Sequence, residues 1–106
     1  MTDLERATAE LENGKHTIVL VKGNNIIKSA ERGVAPLLQL IESGDDYSSY
    51  SASDKVIGKA AAFLYIILGI KNIHGKVISK LAADIFDKFN IDIICYHKYN
   101  FTNHVF

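Results

Sequence analysis

Cysteine is nearly absent from this sequence of 106 residues, net charge is zero, and no apolar run is long enough to cross a membrane. A single cysteine, Cys95, cannot form an internal disulfide, and the polar start of the chain lacks the pattern of a secretion signal, so we expect a cytoplasmic protein. The 12 basic and 12 acidic residues balance, which leaves no overall charge to attract nucleic acid or an anionic membrane. The most apolar stretch, residues 60–70, is too short to span a bilayer.

Hydrophobic residues make up 48% of the chain and charged residues 23%. These proportions are typical of a packed globule rather than a disordered segment. The length suffices for one hydrophobic core and not for two. We therefore predict a single domain over residues 1–106.

Capping and turn signals divide the chain into helices and strands. Thr2 begins a capping box ahead of the first helix. Ser51 with Asp54 has the same capping-box spacing, so we predict a long helix that begins at Ser51 or Ser53 and continues through residue 70. The full prediction is a helix over 2–13, a β-hairpin over 17–27, a helix over 34–43, the long helix, a strand over 72–79, a helix capped by Ser79 and a strand over 91–96.

This order of elements predicts an α/β fold. The last strand, helix and strand should form a right-handed parallel unit, and helices on both sides of a mixed sheet give a three-layer α/β/α sandwich. In such sheets, ligands bind beyond the carboxyl ends of the parallel strands, where the starts of the following helices meet. We therefore expect a ligand cleft at the starts of the third and fourth helices.

The residues at these helix starts favour an anion, because free backbone N–H groups would converge there with hydroxyls and cations. The predicted ligand-binding residues are Ser53, Asp54, Lys55, Lys59, Ser79, Lys80 and Arg32. Lys55 and Lys59 lie four apart near the positive end of the predicted helix, which costs roughly a few tenths of a kcal/mol each. They either hold a phosphate or carboxylate, or are solvated or paired with nearby aspartates.

Motifs for metals and nucleophiles are missing from the sequence. The four histidines are scattered, and only Cys95 and His97, alternate residues of a predicted strand, could share a metal ion. There is no Gly-x-Ser-x-Gly motif and no glycine-rich phosphate loop. We predict neither a metal site nor a cofactor, and we leave open an enzyme that uses Lys55 as its base.

Three segments of the chain resemble a family of small uncharacterised prokaryotic proteins whose fold is similar to that of cytidine deaminase. They are residues 32–34 (RGV), 52–62 (ASDKVIGKAAA) and 76–79 (KVIS), within a resemblance that runs from residue 17 to residue 96. The central segment carries the family pattern A-D-K-V-x-G-K-A-A, with serine in the first position. The resemblance implies the deaminase-like fold, with a cleft at the starts of the third and fourth helices.

The same resemblance implies that zinc chemistry is absent. Deaminases place a zinc-binding His or Cys with a following Glu at the first of these helix starts and Pro-Cys-x-x-Cys at the second. This chain has Ser53-Asp54-Lys55 and residues 78–82 (ISKLA) there. Family members also continue into a Cys-Pro-Met-Glu segment that this chain lacks, so we expect either a domain shortened at its carboxyl end or a dispensable segment.

These observations support two hypotheses for the function. In the first, a small anionic or nucleotide-like ligand binds at the paired helix starts without zinc chemistry. In the second, the protein is a non-catalytic scaffold or homo-oligomer, and self-association buries the segment 56–70, which lacks a polar face. The two hypotheses are compatible, and occupancy of the cleft distinguishes them.

Overall fold

The computed structural model describes residues 1–99, with side chains for residues 1–94. In chain order, its elements are α1 (Asp3–Asn13), β1 (Ile18–Lys22), β2 (Asn25–Ser29), α2 (Ala35–Ser43), β3 (Ser51–Ile57), α3 (Lys59–Leu68), β4 (Asn72–Ser79), α4 (Lys80–Lys88) and β5 (Ile94–Tyr99). The strands form one sheet in the order β2-β1-β3-β4-β5. β1 is antiparallel to β2 and β3, whereas β3, β4 and β5 are parallel. The mixed α/β class is confirmed.

The prediction that a helix begins at Ser51 or Ser53 is wrong. Residues 51–57 form β3, the central strand, and α3 begins only at Lys59. β3 hydrogen-bonds to β1 on one side and to β4 on the other. Pairing on both edges satisfies the backbone of this segment, and it outweighs the local capping-box spacing of Ser51 and Asp54.

The capping signals at two other helices are confirmed. At the start of α1, the Thr2 hydroxyl accepts a hydrogen bond from the Glu5 N–H, and the Glu5 carboxylate accepts one from the Thr2 N–H. At the start of α4, the buried Ser79 hydroxyl accepts a hydrogen bond from the Ala82 N–H at 3.0 Å. Such caps typically contribute about 1 kcal/mol each, so both helix starts are fixed by local sequence.

Alternate residues of β1 belong to two separate hydrophobic clusters, so this strand is buried on both faces. Val19 and Val21 pack in a small cluster with residues of α1. Ile18 and Leu20 belong to the larger cluster, to which α2, α3 and α4 also contribute. Within this larger cluster, α3 contacts both α2 and α4. No helix in the described part of the chain has the length and apolarity needed to span a membrane.

Candidate functional site

A cavity of about 780 Å³ lies where β3 ends and β1 begins. Its walls come from these two strands, from the loop before α2, and from the starts of α2 and α3. The cavity therefore lies beyond the carboxyl end of a parallel strand, which is the usual place for a ligand in an open α/β sheet. Its volume falls within the range of small-molecule sites.

Two helix starts meet at this cavity. Val34 precedes α2, Gly58 precedes α3, and both residues line the cavity. Among the described residues, no side chain caps either start. The first turns are closed by the Leu38 N–H, which donates to the Val34 carbonyl, and by the Ala62 N–H, which donates to the Gly58 carbonyl. Earlier N–H groups have no helical partner, and each helix dipole adds positive potential.

Three cationic residues also line the cavity: Lys15, Arg32 and Lys55. Lys55 is half-buried, and the other two are exposed. None of the three takes part in an ion pair among residues 1–94. The ion pairs found there are Arg6–Asp3, Lys28–Glu10 and Lys80–Asp84. The positive charge of the cavity is therefore available to an anion.

Asp54 places a carboxyl group in the cavity wall, although its side chain is only 8% exposed. The Tyr65 hydroxyl donates to its Oδ2 at 2.7 Å, and the Val56 backbone N–H donates to its Oδ1 at 3.3 Å. Burial raises the pKa of Asp54 to about 7, although the hydrogen bond from Tyr65 opposes this shift. Burial also raises the pKa of Tyr65 well above its ordinary value, so its hydroxyl remains a donor.

Ser53 does not line the cavity. Its hydroxyl is fully buried and lies 2.8 Å from Nδ1 of His74 on β4. Burial lowers the pKa of His74, which favours the neutral ring at physiological pH. Ser53 and His74 therefore form a polar contact between two central strands.

The sequence model of one family, described as TM1506, a domain of unknown function (DUF1893), matches residues 6–101. The chain belongs to this family. A solved relative is the crystal structure of a DUF1893 family protein (TM1506) from Thermotoga maritima, which is 28% identical to this chain. The alignment covers 96% of this chain and 70% of that one, with a TM-score of 0.80. No curated protein matches.

The expected membership in an uncharacterised family is thus confirmed. In this DUF1893 domain, three of the seven predicted ligand-binding residues, Arg32, Asp54 and Lys55, line the same cavity. Arg32 reaches it from the loop between β2 and α2, where the sequence placed it, whereas Asp54 and Lys55 reach it from β3 rather than from a helix start. The paired helix starts at the cavity belong to α2 and α3, not to α3 and α4.

The other predicted residues of the DUF1893 domain do not line this cavity. Lys59 is the exposed first residue of α3, next to the cavity-lining Gly58. Ser79 is buried and caps α4, and Lys80 lies 3.4 Å from the Asp84 carboxylate. The geometry therefore gives Ser79 and Lys80 local partners within α4.

Sequence reasoning missed two residues of the site, Lys15 and Tyr65. Lys15 lies in the loop between α1 and β1, and it reaches the cavity because β1 runs antiparallel to β3. Tyr65 lies on the buried side of α3, eleven residues after its partner Asp54. The sequence does show a lysine next to the start of the first strand. Assigning this lysine to the cavity requires knowing that β1 pairs with β3, which the sequence pattern does not give.

Metal-binding side chains are not clustered in the described part of the chain, where no group of three His, Cys, Asp or Glu residues is close enough to hold an ion. The side chains of Cys95 and His97, the one pair that the sequence offered for a shared metal, lie outside the described residues.

Proposed function

We propose that this domain binds a small anionic, nucleotide-like ligand in the cavity at the starts of α2 and α3. The observation that carries the proposal is the convergence of Lys15, Arg32 and Lys55 on one cavity that also receives two uncapped helix starts. Helix starts bind anions through free N–H groups and the helix dipole. The volume of the cavity favours a compound larger than a simple ion.

Each polar group has a distinct part in this proposal. Arg32 presents a planar guanidinium that can bind a phosphate or carboxylate through two parallel hydrogen bonds, and Lys55 adds a point charge. Lys59 adds charge at the rim, since it directly follows Gly58. Asp54 accepts a hydrogen bond from a ribose hydroxyl or from an N–H group of a base. A ligand with both an anionic group and a donor would use all of them.

The proposal includes a three-layer, cytidine deaminase-like arrangement of the fold. It is supported by the strand order β2-β1-β3-β4-β5 and by the two hydrophobic clusters that involve opposite faces of β1. In this arrangement, the ligand occupies the cleft after β3 where the resemblance places the zinc site of deaminases. This chain has Asp54, Lys55 and Lys59 in that region instead of the His or Cys ligand and the following Glu of deaminases, so the proposed binding involves no zinc chemistry.

Thermal unfolding in the presence of candidate anions tests the proposal. The panel contains inorganic phosphate, nucleoside monophosphates, sugar phosphates and small carboxylates. A bound compound at 100 times its dissociation constant should stabilise wild type by about 2.7 kcal/mol. We expect Lys55→Ala and Arg32→Ala to lose most of this stabilisation, because each removes a cation from the cavity.

Lys71→Ala is the matched control, since Lys71 is exposed and precedes β4, at the end of the parallel strands opposite the cavity. It removes the same charge from the protein without changing the cavity. It should retain the full stabilisation by the ligand. Equal loss in Lys55→Ala and Lys71→Ala would show a nonspecific charge effect and contradict the proposal.

Self-association is a second candidate function, favoured by two exposed apolar residues on α3. Phe63 is 42% exposed and Ile67 is 66% exposed, and their spacing of four places them on one helical face. A second copy of the chain could bury this face. We expect light scattering to show a dimer for wild type at micromolar concentration and a monomer for Ile67→Lys. A monomeric wild type would exclude this candidate.

A further inference from the structure

We propose that Asp54 is the general acid–base group of an active site in this cavity, and that its substrate is a small anion carrying a carbonyl group. This inference rests on the proposed anion binding and adds a proton-transfer reaction to it. It also places the base on Asp54 rather than on Lys55, the base considered from the sequence.

The geometry around Asp54 fits a group that transfers protons. The carboxyl group is oriented by the Tyr65 hydroxyl, which donates to Oδ2 at 2.7 Å, and by the Val56 N–H, which donates to Oδ1 at 3.3 Å. A carboxylate oxygen can accept two hydrogen bonds, so Asp54 keeps free acceptor positions after these contacts. Asp54 also lines the cavity and keeps 8% of its surface exposed, so a ligand there would lie next to it.

A purely structural role for Asp54 would be to satisfy the buried Tyr65 hydroxyl. A neutral side chain or a backbone carbonyl could do this without burying an ionisable group. None of the ion pairs among residues 1–94 includes Asp54. Its pKa of about 7 leaves both protonation states populated near neutral pH, as an acid–base catalyst requires.

The surrounding charges determine which reaction this base would assist. Lys15, Arg32 and Lys55 line the same cavity and would stabilise negative charge that develops on a bound substrate. Abstraction of a proton next to a carbonyl produces such charge on the carbonyl oxygen. It also requires no nucleophile, metal or redox partner.

The step is a reversible enolisation. An oxygen of the ionised Asp54 takes the proton from the carbon next to the carbonyl, and the electrons of that C–H bond form a carbon–carbon double bond. The carbonyl π electrons move to its oxygen, which becomes an enolate facing the cations. The protonated Asp54 then returns a proton to carbon, and exchange of this proton with solvent leaves an isotopic label.

Proton exchange into D₂O tests this inference by NMR. The probes are pyruvate, 2-oxoglutarate and dihydroxyacetone phosphate, each also checked for binding by thermal unfolding. For at least one bound probe, wild type should exchange the carbon-bound proton about 100-fold faster than Asp54→Asn. The rate should rise with pH through the pKa of Asp54, because the ionised form is the base.

Tyr65→Phe provides a second variant that retains the carboxyl group. The hydrogen bond from Tyr65 lowers the pKa of Asp54. Its loss should therefore raise this pKa, move the midpoint of the pH profile upward and reduce the rate of proton exchange about 10-fold. The other ionisable groups at the cavity, Lys15, Arg32 and Lys55, are unchanged in this variant. An unchanged midpoint would contradict the positioning role of Tyr65 and the assignment of the profile to Asp54.

The binding measurements separate failure of the inference from failure of the proposed function. A probe that binds but exchanges equally fast with wild type and Asp54→Asn would overturn the inference alone. Binding of inorganic phosphate without binding of any carbonyl probe would do the same. If no probe and no compound of the thermal-unfolding panel binds, the proposed function and this inference are both overturned. Binding of a nucleotide without binding of any carbonyl probe would overturn the inference alone.

Discussion

Asp54→Asn is expected to stabilise the protein by as much as about 4 kcal/mol at pH 8 and by less than about 1 kcal/mol at pH 4. The pKa of Asp54 is about 7 in the folded protein, compared with 3.8 for a free aspartate. The folded state therefore binds this proton more tightly than the unfolded state does. Stability is lost as pH rises from 4 to 7, and above pH 7 the full cost of the buried charge is present. Asparagine removes the charge and keeps an oxygen for the Tyr65 hydroxyl.

Denaturant unfolding of both proteins from pH 4 to pH 8 measures this effect. Asp84→Asn is the control, because Asp84 is exposed on α4 and its neutralisation should change stability by less than about 0.5 kcal/mol. A stability difference between wild type and Asp54→Asn that does not vary with pH would contradict the raised pKa. A substitution that increases stability and abolishes proton exchange would indicate that Asp54 is retained for function.

Phe86→Ala is expected to destabilise the protein by about 3–5 kcal/mol, whereas Phe89→Ala should cost less than about 1 kcal/mol. Phe86 is fully buried in the larger hydrophobic cluster, and its removal leaves a cavity there. Phe89 directly follows α4 and is 51% exposed. Both substitutions remove the same side chain, so denaturant unfolding of the pair isolates the effect of burial. Equal losses would contradict the placement of α4 on the core.

Burial along the apolar face of α4 is uneven. The helical spacing of the sequence groups Leu81, Ile85, Phe86 and Phe89 on one face. Ile85 and Phe86 are buried, but Leu81 and Phe89 are 44% and 51% exposed. Leu81 lies in the first turn of α4, and Phe89 directly follows the end of the helix. Periodicity predicts which direction a residue points, but not how far the neighbouring elements extend.

β3 shows more clearly why part of the fold could not be predicted. Its polar residues suggested a helix start, since Ser51 and Asp54 have capping-box spacing. In the structure, Ser53 contacts His74, and Asp54 accepts a hydrogen bond from Tyr65. Both partners are distant in sequence, and a central strand can contain these polar groups only because the partners exist. Local propensity contains no information about such contacts.

Like the fold, the candidate site was only partly predictable from the sequence. The sequence assigned seven residues to a cleft at paired helix starts, and three of them, Arg32, Asp54 and Lys55, line one cavity. This cavity adjoins the starts of α2 and α3 rather than those of α3 and α4, because a strand runs where the sequence predicted the start of the long helix. Lys15 lines the cavity because β1 pairs with β3, and the sequence does not predict this pairing. Residue types at the site were therefore easier to predict than the elements that carry them.

Amide NMR of wild type during titration with inorganic phosphate tests the central claim of anion binding most directly. Anion binding in the cavity should produce saturable shifts of the backbone amides of Gly33, Lys55 and Gly58, which line it, with little change at Lys71. The same titration of Lys55→Ala should require a much higher phosphate concentration. Shifts absent at the cavity, or spread evenly over the surface and unchanged in Lys55→Ala, would contradict the account.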